Sequence, residues 1–199
     1  MFARVTVTAS DLAVGRRFYE TVFATLARDA WDAFAVDEGP PTQGLHVAFA
    51  AGSREEVDAF WRAGVGAGYR SDGEPGLRPR YRPDYYGAFL RDPDGNSVEA
   101  VNRPGRTETG PSVDHLWLGV SDLEASRRFW EGVAPVLGLQ VEAARFEGMV
   151  AVAANRQHLM LVADGRPSTS GARIALAAAA PVGAVVDPDG NIVEGRETA

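Results

Sequence analysis

The chain of 199 residues contains no cysteine. It therefore has no disulfide and no thiolate to offer a metal or a substrate. It also lacks a basic surplus: 20 Lys and Arg stand against 27 Asp and Glu, a formal charge of −7 with an isoelectric point near 5.0. That balance argues against nucleic acid as a partner. No apolar run approaches the roughly 18 residues of a membrane-spanning helix, and the longest, IALAAAAPVGAVV, is broken by Pro181. The opening MFARVTVTAS has neither the charged start nor the apolar centre of a secretory signal. A Ser-His-Asp order, a phosphate-cradling glycine loop and a nucleotide fingerprint are all missing. The expectation is a cytoplasmic globular protein with no membrane and no nucleic acid among its partners.

Against these absences stands an internal repeat. SDLAVGRRFYETVFATL (10–26) aligns with SDLEASRRFWEGVAPVL (121–137), with nine of 17 positions identical. TQGLHVAFAA (42–51) matches TSGARIALAA (169–178), and RDPDGNSVEA (91–100) matches VDPDGNIVEG (186–195). Three blocks in the same order mean duplication, not reuse of a turn. Their offsets are 111, 127 and 95 residues. The second copy has gained residues after its first helix and lost the counterpart of SREEVDAFWRAGVGAG (53–68), an amphipathic helix in the first copy. The joint NRPGRTETGPS (102–112) is polar and rich in Gly and Pro, as a linker should be. Ser10 and Ser121 stand where helix caps are needed, and Glu124 completes a capping box with Ser121. GAFL, Asp-Gly-Asn and SVEAV read as a hairpin. Its Asp92, Asp94 and Asn96 serve the turn by bonding their own backbone.

VTVTASDLAVGRRFY, GLHVAFAA and YYGAFLRDPDGNSVEAV, with their second-copy partners, resemble the vicinal oxygen chelate superfamily, the fold of glyoxalases, bleomycin-resistance proteins and extradiol dioxygenases. The resemblance covers nearly the whole chain. It implies an α+β fold of repeated βαβββ modules, paired so that curved mixed sheets form open cups, in two unequal halves. The first half, 1–103, holds modules A (about 1–40) and B (about 42–103). The second, 113–199, holds C (about 113–166) and D (about 169–199), the last without its helix. An uncovered sheet is an association hazard, so a second subunit is the expected cover for D, and a homodimer the expected state.

The resemblance also puts metal ligands on the first and last strands of each module. The positions are Arg4 and Phe34 in A, His46 and Glu99 in B, His115 and Met160 in C, and Arg173 and Glu194 in D, with a tolerance of one or two residues for Phe34 and Met160. Neutral imidazole and carboxylate suit Fe(II), Mn(II), Ni(II) or Zn(II), and two His with one carboxylate form a facial triad with open positions. Arginine keeps its proton and has no lone pair to give. The outcome depends on which modules pair. A with B and C with D gives each cup one His and one Glu. B with C collects His46, Glu99 and His115, and leaves Arg4, Phe34, Arg173 and Glu194 in the other cup. Exchange between two chains builds the same triad. His158 is a further candidate close to a ligand position. Each residue also has an ordinary reading, as a core histidine or an arginine-bonded glutamate.

PGLRPRYRPDYYGAF (75–89) concentrates Arg78, Arg80, Tyr81, Arg82, Tyr85 and Tyr86. In relatives such a passage borders the cup. Tyr86 and Arg82 are therefore the expected catalytic residues, able to bind an anionic or enolate oxygen or to stack on a ring. Trp117 and Trp130 read as core. The expected protein is a divalent-metal-dependent enzyme of glyoxalase or dioxygenase type, a lyase or oxidoreductase, acting on a small molecule with vicinal oxygens that a Lewis-acidic ion would hold. The alternatives are a metal-free protein that sequesters a small molecule in the bleomycin-resistance manner, and a non-catalytic paralogue whose second half serves an oligomer.

Overall fold

Strands and helices fall into four groups in the computed structural model, which describes residues 1–105, 112–144, 146–154 and 157–197. Residues 106–111 of the expected linker lie outside the described residues. The first group is β1 (Phe2–Ala9), α1 (Leu12–Phe23) and β2 (Phe34–Glu38). The second is β3 (Leu45–Ala50), α2 (Arg54–Gly66), β4 (Ser71–Leu77), β5 (Tyr86–Arg91) and β6 (Ser97–Asn102). The third is β7 (Val113–Gly119), α3 (Leu123–Val133), β8 (Gln140–Ala143), β9 (Met149–Ala154) and β10 (Gln157–Val162). The fourth, β11 (Arg173–Ala178), β12 (Val182–Val186) and β13 (Ile192–Glu197), has no helix. The second and third groups are complete βαβββ units, and the first has a single strand after its helix.

The helix starts differ from expectation by one residue. Asp11 caps α1, its Oδ1 accepting from Val14 N at 3.0 Å, and Asp122 caps α3, accepting from Ala125 N at 2.9 Å. A carboxylate at this position satisfies an orphan N–H and faces the positive end of the helix dipole. Ser10 and Ser121 lie outside the helices, and Glu124, the second residue of α3, forms no capping box.

The sheets assemble across the repeat. An eight-stranded sheet, ordered β4-β5-β6-β3-β7-β10-β9-β8, joins modules B and C; a five-stranded sheet, β12-β13-β11-β1-β2, joins A and D. In the larger sheet β3 and β7 meet antiparallel, while β3 runs parallel to β6 and β7 parallel to β10. The smaller sheet repeats the plan, with β1 antiparallel to β11, and β2 and β13 parallel to them. One face of each sheet enters a common core. Val5, Val47, Leu116 and Ile174 meet Phe18, Phe60 and Trp130 of the three helices there. Burying each such side chain contributes roughly 1.5–3 kcal/mol. Alternate residues of the same strands face the cups. The core-side face of D is covered from within the chain. Leu137, in the 3₁₀ turn Ala134–Leu137 after α3, is buried with Ile174 and Val193, and a Cβ on Gly195 would stand 2.7 Å from its Cδ2. No second subunit is needed for that cover. Among the described residues, no helix is long and apolar enough to cross a membrane.

The repeated DPDGN is more than a turn. Asp92 Oδ1 accepts from the backbone N of Asp94 and Asn96 at 3.0 and 2.8 Å, as turn chemistry requires. Asn96 then reaches the start of its module: its Oδ1 accepts from Leu45 N at 3.1 Å and its Nδ2 donates to Thr42 O at 2.9 Å. Asn191 does the same with Ala172 N at 3.2 Å and Thr169 O at 2.8 Å. Asp94 accepts from the Ser10 hydroxyl at 2.6 Å, and Asp189 from Ser121 N at 3.1 Å. Each turn thus fastens its own hairpin, the first strand of its module, and the helix start of the preceding module. Both asparagines are buried. Asn96→Ala strands buried partners at roughly 1–3 kcal/mol each. Urea unfolding should show a stability loss of about 2–4 kcal/mol with an unchanged m-value, and Asn191→Ala should fall in the same range. A loss under about 0.5 kcal/mol would reduce both residues to dispensable turn formers.

Candidate metal centre

All six residues of β3 are buried, because α2 and the core cover one face and the cup the other. Leu45, Val47 and Phe49 point to the core, so alternation sends His46 and Ala48 to the cup. In the β3–β7 ladder His46 pairs with Trp117 and Ala48 with His115; in the parallel β3–β6 ladder Ala48 pairs with Glu99. Neighbouring strands lie about 4.8 Å apart, so three side chains converge around one alanine, whose methyl leaves the floor of the cup open. Glu99 is 1% exposed, His115 6% and His46 8%.

His46 Nε2 stands 3.1 Å from Glu99 Oε2 and 3.3 Å from His115 Nε2, and His115 Nε2 is 3.5 Å from Glu99 Oε2. Three ligand atoms, one from each residue, all lie within 4.8 Å of one another. The partners of the remaining atoms define the protonation. His115 Nδ1 is 2.7 Å from the Asp114 carboxylate, which can only accept, so Nδ1 carries the proton and Nε2 a lone pair. His46 Nδ1 lies 3.1 Å from Ser97 Oγ, whose own proton goes to Asp72 Oδ2 at 2.9 Å, while Asp72 is paired with Arg91 at 2.8 Å. His46 therefore also directs an Nε2 lone pair inward. Burial lowers the His46 pKa against the opposing pull of Glu99. Tyr85 donates to Glu99 Oε1 at 2.7 Å, which leaves Oε2 for the centre. Burial, the charge of Glu99 and this hydrogen bond push the Tyr85 phenol well above its ordinary value. Three lone pairs at these separations repel unless an electrophile lies among them. A point about 2 Å from each exists close to their plane, the N- and O-ligand distance of a first-row divalent ion. The donor set fits such an ion.

Two supports of this cluster had weak signals in the sequence. Register along β7 shifts between Val113 and His115, making Asp114 the extra residue of a β-bulge. Bulges re-aim side chains beside functional sites, and this one turns the Asp114 carboxylate onto His115 and Arg103. Burial works to raise the Asp114 pKa, but the bonds from His115 and Arg103 outweigh it and hold the carboxyl well below its usual range. Gly87, beside Glu99 on β5, is the other support: a Cβ there would lie 2.6 Å from Glu99 Oε1.

A cavity of about 750 Å³ opens over the three residues. Arg78, Tyr81, Phe89, Trp117 and Arg166 are among its walls. A second, of about 350 Å³, meets it at Tyr81, Tyr85, His115 and Trp117 and extends to Phe146, Met149, His158 and Met160. Trp117, read from sequence as core, is a cup wall instead, its ring 5.5 Å from His46 and 6.2 Å from His115. Trp130 is core. Tyr86 points the other way: β5 alternates, and its hydroxyl donates to Asp58 on α2 at 2.8 Å. The tyrosine that reaches the cluster is Tyr85, one residue earlier. Counting alternate residues back from the partner of Glu99, Phe89, through Gly87 would have found it. Arg82 sits at the rim of the second cavity, bonded to Asp84 at 3.0 Å by two nitrogens.

The other cup preserves the lattice and changes the chemistry. Arg4 pairs with Ala175, Ala175 with Glu194, and Thr6 with Arg173. Arginines thus occupy both histidine positions around an equivalent alanine. Glu194 is bonded to Arg196 at 2.8 Å and faces Arg173 at 3.5 Å. Register places Ala35, not Phe34, opposite Thr6; Phe34 is in the core against Tyr19 and Phe49. On the module C side Met160 pairs with Trp117, the position corresponding to Glu99, so among the described residues no second carboxylate enters the B–C cup from that position.

Fold and site together define a protein of paired βαβββ modules with one His-Glu-His cluster in one of two cups. The sequence model of the Glyoxalase/Bleomycin resistance protein/Dioxygenase superfamily matches residues 30–100. A glyoxalase/bleomycin resistance protein from Albidiferax ferrireducens T118 is 34% identical over 52% of this chain and 99% of its own, with a TM-score of 0.46. Glyoxalase I from Zea mays has a TM-score of 0.63, covering 98% of this chain and 92% of its own, at 17% identity, a likeness of fold alone. No curated protein sequence matches. The chain belongs to the glyoxalase/bleomycin resistance protein/dioxygenase superfamily.

The raised phenol gives a pH prediction. The folded state holds the Tyr85 proton more tightly than the unfolded chain does. The stability this contributes is present below the ordinary tyrosine pKa near 10 and is lost as pH rises above it. Tyr19, buried against Asp92, is shifted in the same direction. Ultraviolet titration should reveal two late-ionising phenols in the wild type and one in Tyr85→Phe. Simultaneous ionisation of all five tyrosines while the fold persists would contradict this.

Proposed function

We propose that the chain is a divalent-metal-dependent enzyme of the glyoxalase or dioxygenase type, with one metal centre per chain held by His46, Glu99 and His115. The observation that carries the reading is the convergence of three lone pairs in the B–C cup, set against an A–D cup where the same lattice holds two arginines. A bound ion would act as a Lewis acid on the paired oxygens of a small molecule. Two His and one carboxylate correspond to the facial triad with open positions, and Met160, where a fourth ligand would stand, offers only a soft thioether.

The rest belongs to the protein's own groups. Asp114 and Ser97 set the tautomers of the two imidazoles and orient their rings, as outer partners of metal ligands do. Tyr85, kept protonated, holds Oε1 of Glu99. Trp117 and Phe89 supply apolar walls beside the triad, against which a flat ligand can pack. Tyr85 and His115, shared by both cavities, stand where a bound molecule passes from one to the other.

Protein purified without chelators and supplied with Fe(II), Mn(II), Ni(II) or Zn(II) should bind one equivalent per chain by elemental analysis. His46→Ala and His115→Ala should each weaken binding beyond the roughly 10–100-fold expected for Asp114→Asn, and Arg173→Ala should leave it unchanged. Wild-type protein that takes up none of the four ions would remove the metal reading, and loss in only one histidine variant would rule out a shared centre.

A further inference from the structure

Five arginines line the two cavities. Four have a carboxylate partner: Arg82 with Asp84, Arg91 with Asp72, Arg103 with Asp114 and Arg166 with Asp164. Arg78 has none among the described residues. Its guanidinium donates instead to backbone carbonyls, to Leu77 O at 3.3 Å and Glu74 O at 2.5 Å, and lies over the Phe89 ring, 5.4 Å from its centroid. Carbonyls position the group without cancelling its charge. Gly76 of β4 makes room for this pose: a Cβ there would stand 3.0 Å from Arg78 Nη1. A fixed, uncompensated guanidinium, with two of its five N–H groups in use, therefore faces the cavity over the triad.

We propose that Arg78 is the anion anchor of this cup and that the ligand carries a carboxylate in addition to its paired oxygens. The inference rests on the reading of the triad as a metal centre. The planar guanidinium fork matches a carboxylate through two parallel bonds, which a point charge does not. Phe89 neighbours both anchor and triad, its ring centroid 5.4 Å from the guanidinium carbon and 6.0 Å from the ring of His46. The carboxylate and the chelating oxygens would thus meet the protein on either side of one cavity, with the flat face of Phe89 in its wall. The ligand class is a flat carboxylic acid with vicinal oxygens at its far end, and the smaller cavity, lined by Phe146, Met149 and Met160, has room for an apolar substituent.

A matched pair of probes tests this: 3,4-dihydroxybenzoate and its neutral isostere 3,4-dihydroxybenzamide, titrated by calorimetry into Zn(II)-loaded protein, where the ion has no redox chemistry. The benzoate should bind at least about tenfold tighter to the wild type, a difference typical of a charge-assisted pair. Arg78→Gln should abolish that preference while leaving metal content and benzamide affinity unchanged, and Arg78→Lys should retain only part of it. Equal affinities in the wild type, or a preference that survives Arg78→Gln, would overturn the anchor. With one equivalent of zinc bound, that failure concerns Arg78 alone; a chain that binds no zinc or other ion overturns the triad reading and this inference with it.

Discussion

The antiparallel join of β3 to β7 is the constraint on which the site depends. It brings His46 of the first repeat and His115 of the second onto one face, and its register sets them diagonally around Ala48. A shift of one residue would send either imidazole into the apolar core, since strand side chains alternate faces. Apolar burial on the far side forbids that shift: Leu45, Val47 and Phe49 on one strand and Leu116 and Leu118 on the other are all in the core. The chemistry of the cup is therefore held in place by hydrophobic packing it does not touch.

Around that join the polar groups are paired outward in chains, from His115 to Asp114 to Arg103, from His46 through Ser97 and Asp72 to Arg91, and from Glu99 to Tyr85. Buried charges are costly unless paired and hydrogen-bonded. Here each chain ends on an arginine or a phenol, so the residues behind the triad occupy Nδ1 of both imidazoles and Oε1 of Glu99 and leave Nε2 of each ring and Oε2 facing one another. Within the triad the unused capacity is concentrated at one point.

The two cups share a lattice and differ in the side chains placed on it. Both use an alanine floor, a bulged first strand and a glutamate on the parallel neighbour. In the A–D cup Arg4 and Arg173 stand at the imidazole positions, and Glu194 is ion-paired with Arg173 and Arg196. The repeated DPDGN turns survive in both because their asparagines carry the fold, tying each hairpin to the strand that opens its module. That burden is independent of any metal.

Much was legible in the sequence by itself. The blocks around 10–26, 42–51 and 91–100 and their partners gave away the duplication, the four modules and the missing helix of D. The family resemblance then put His46, Glu99, His115 and the arginines at corresponding positions, and local periodicity determines which face of a strand a residue occupies. It does not determine which strand lies alongside. Pairing of B with C was one alternative among three, since the joins had indistinguishable local patterns, and only packing of the whole chain chose between them. The choice of Tyr85 over Tyr86 followed from the β5–β6 register, the role of Asp114 from a bulge, and the cover of D from the turn after α3. Each depends on contacts between residues far apart in the chain, where tertiary packing decides among locally equivalent arrangements.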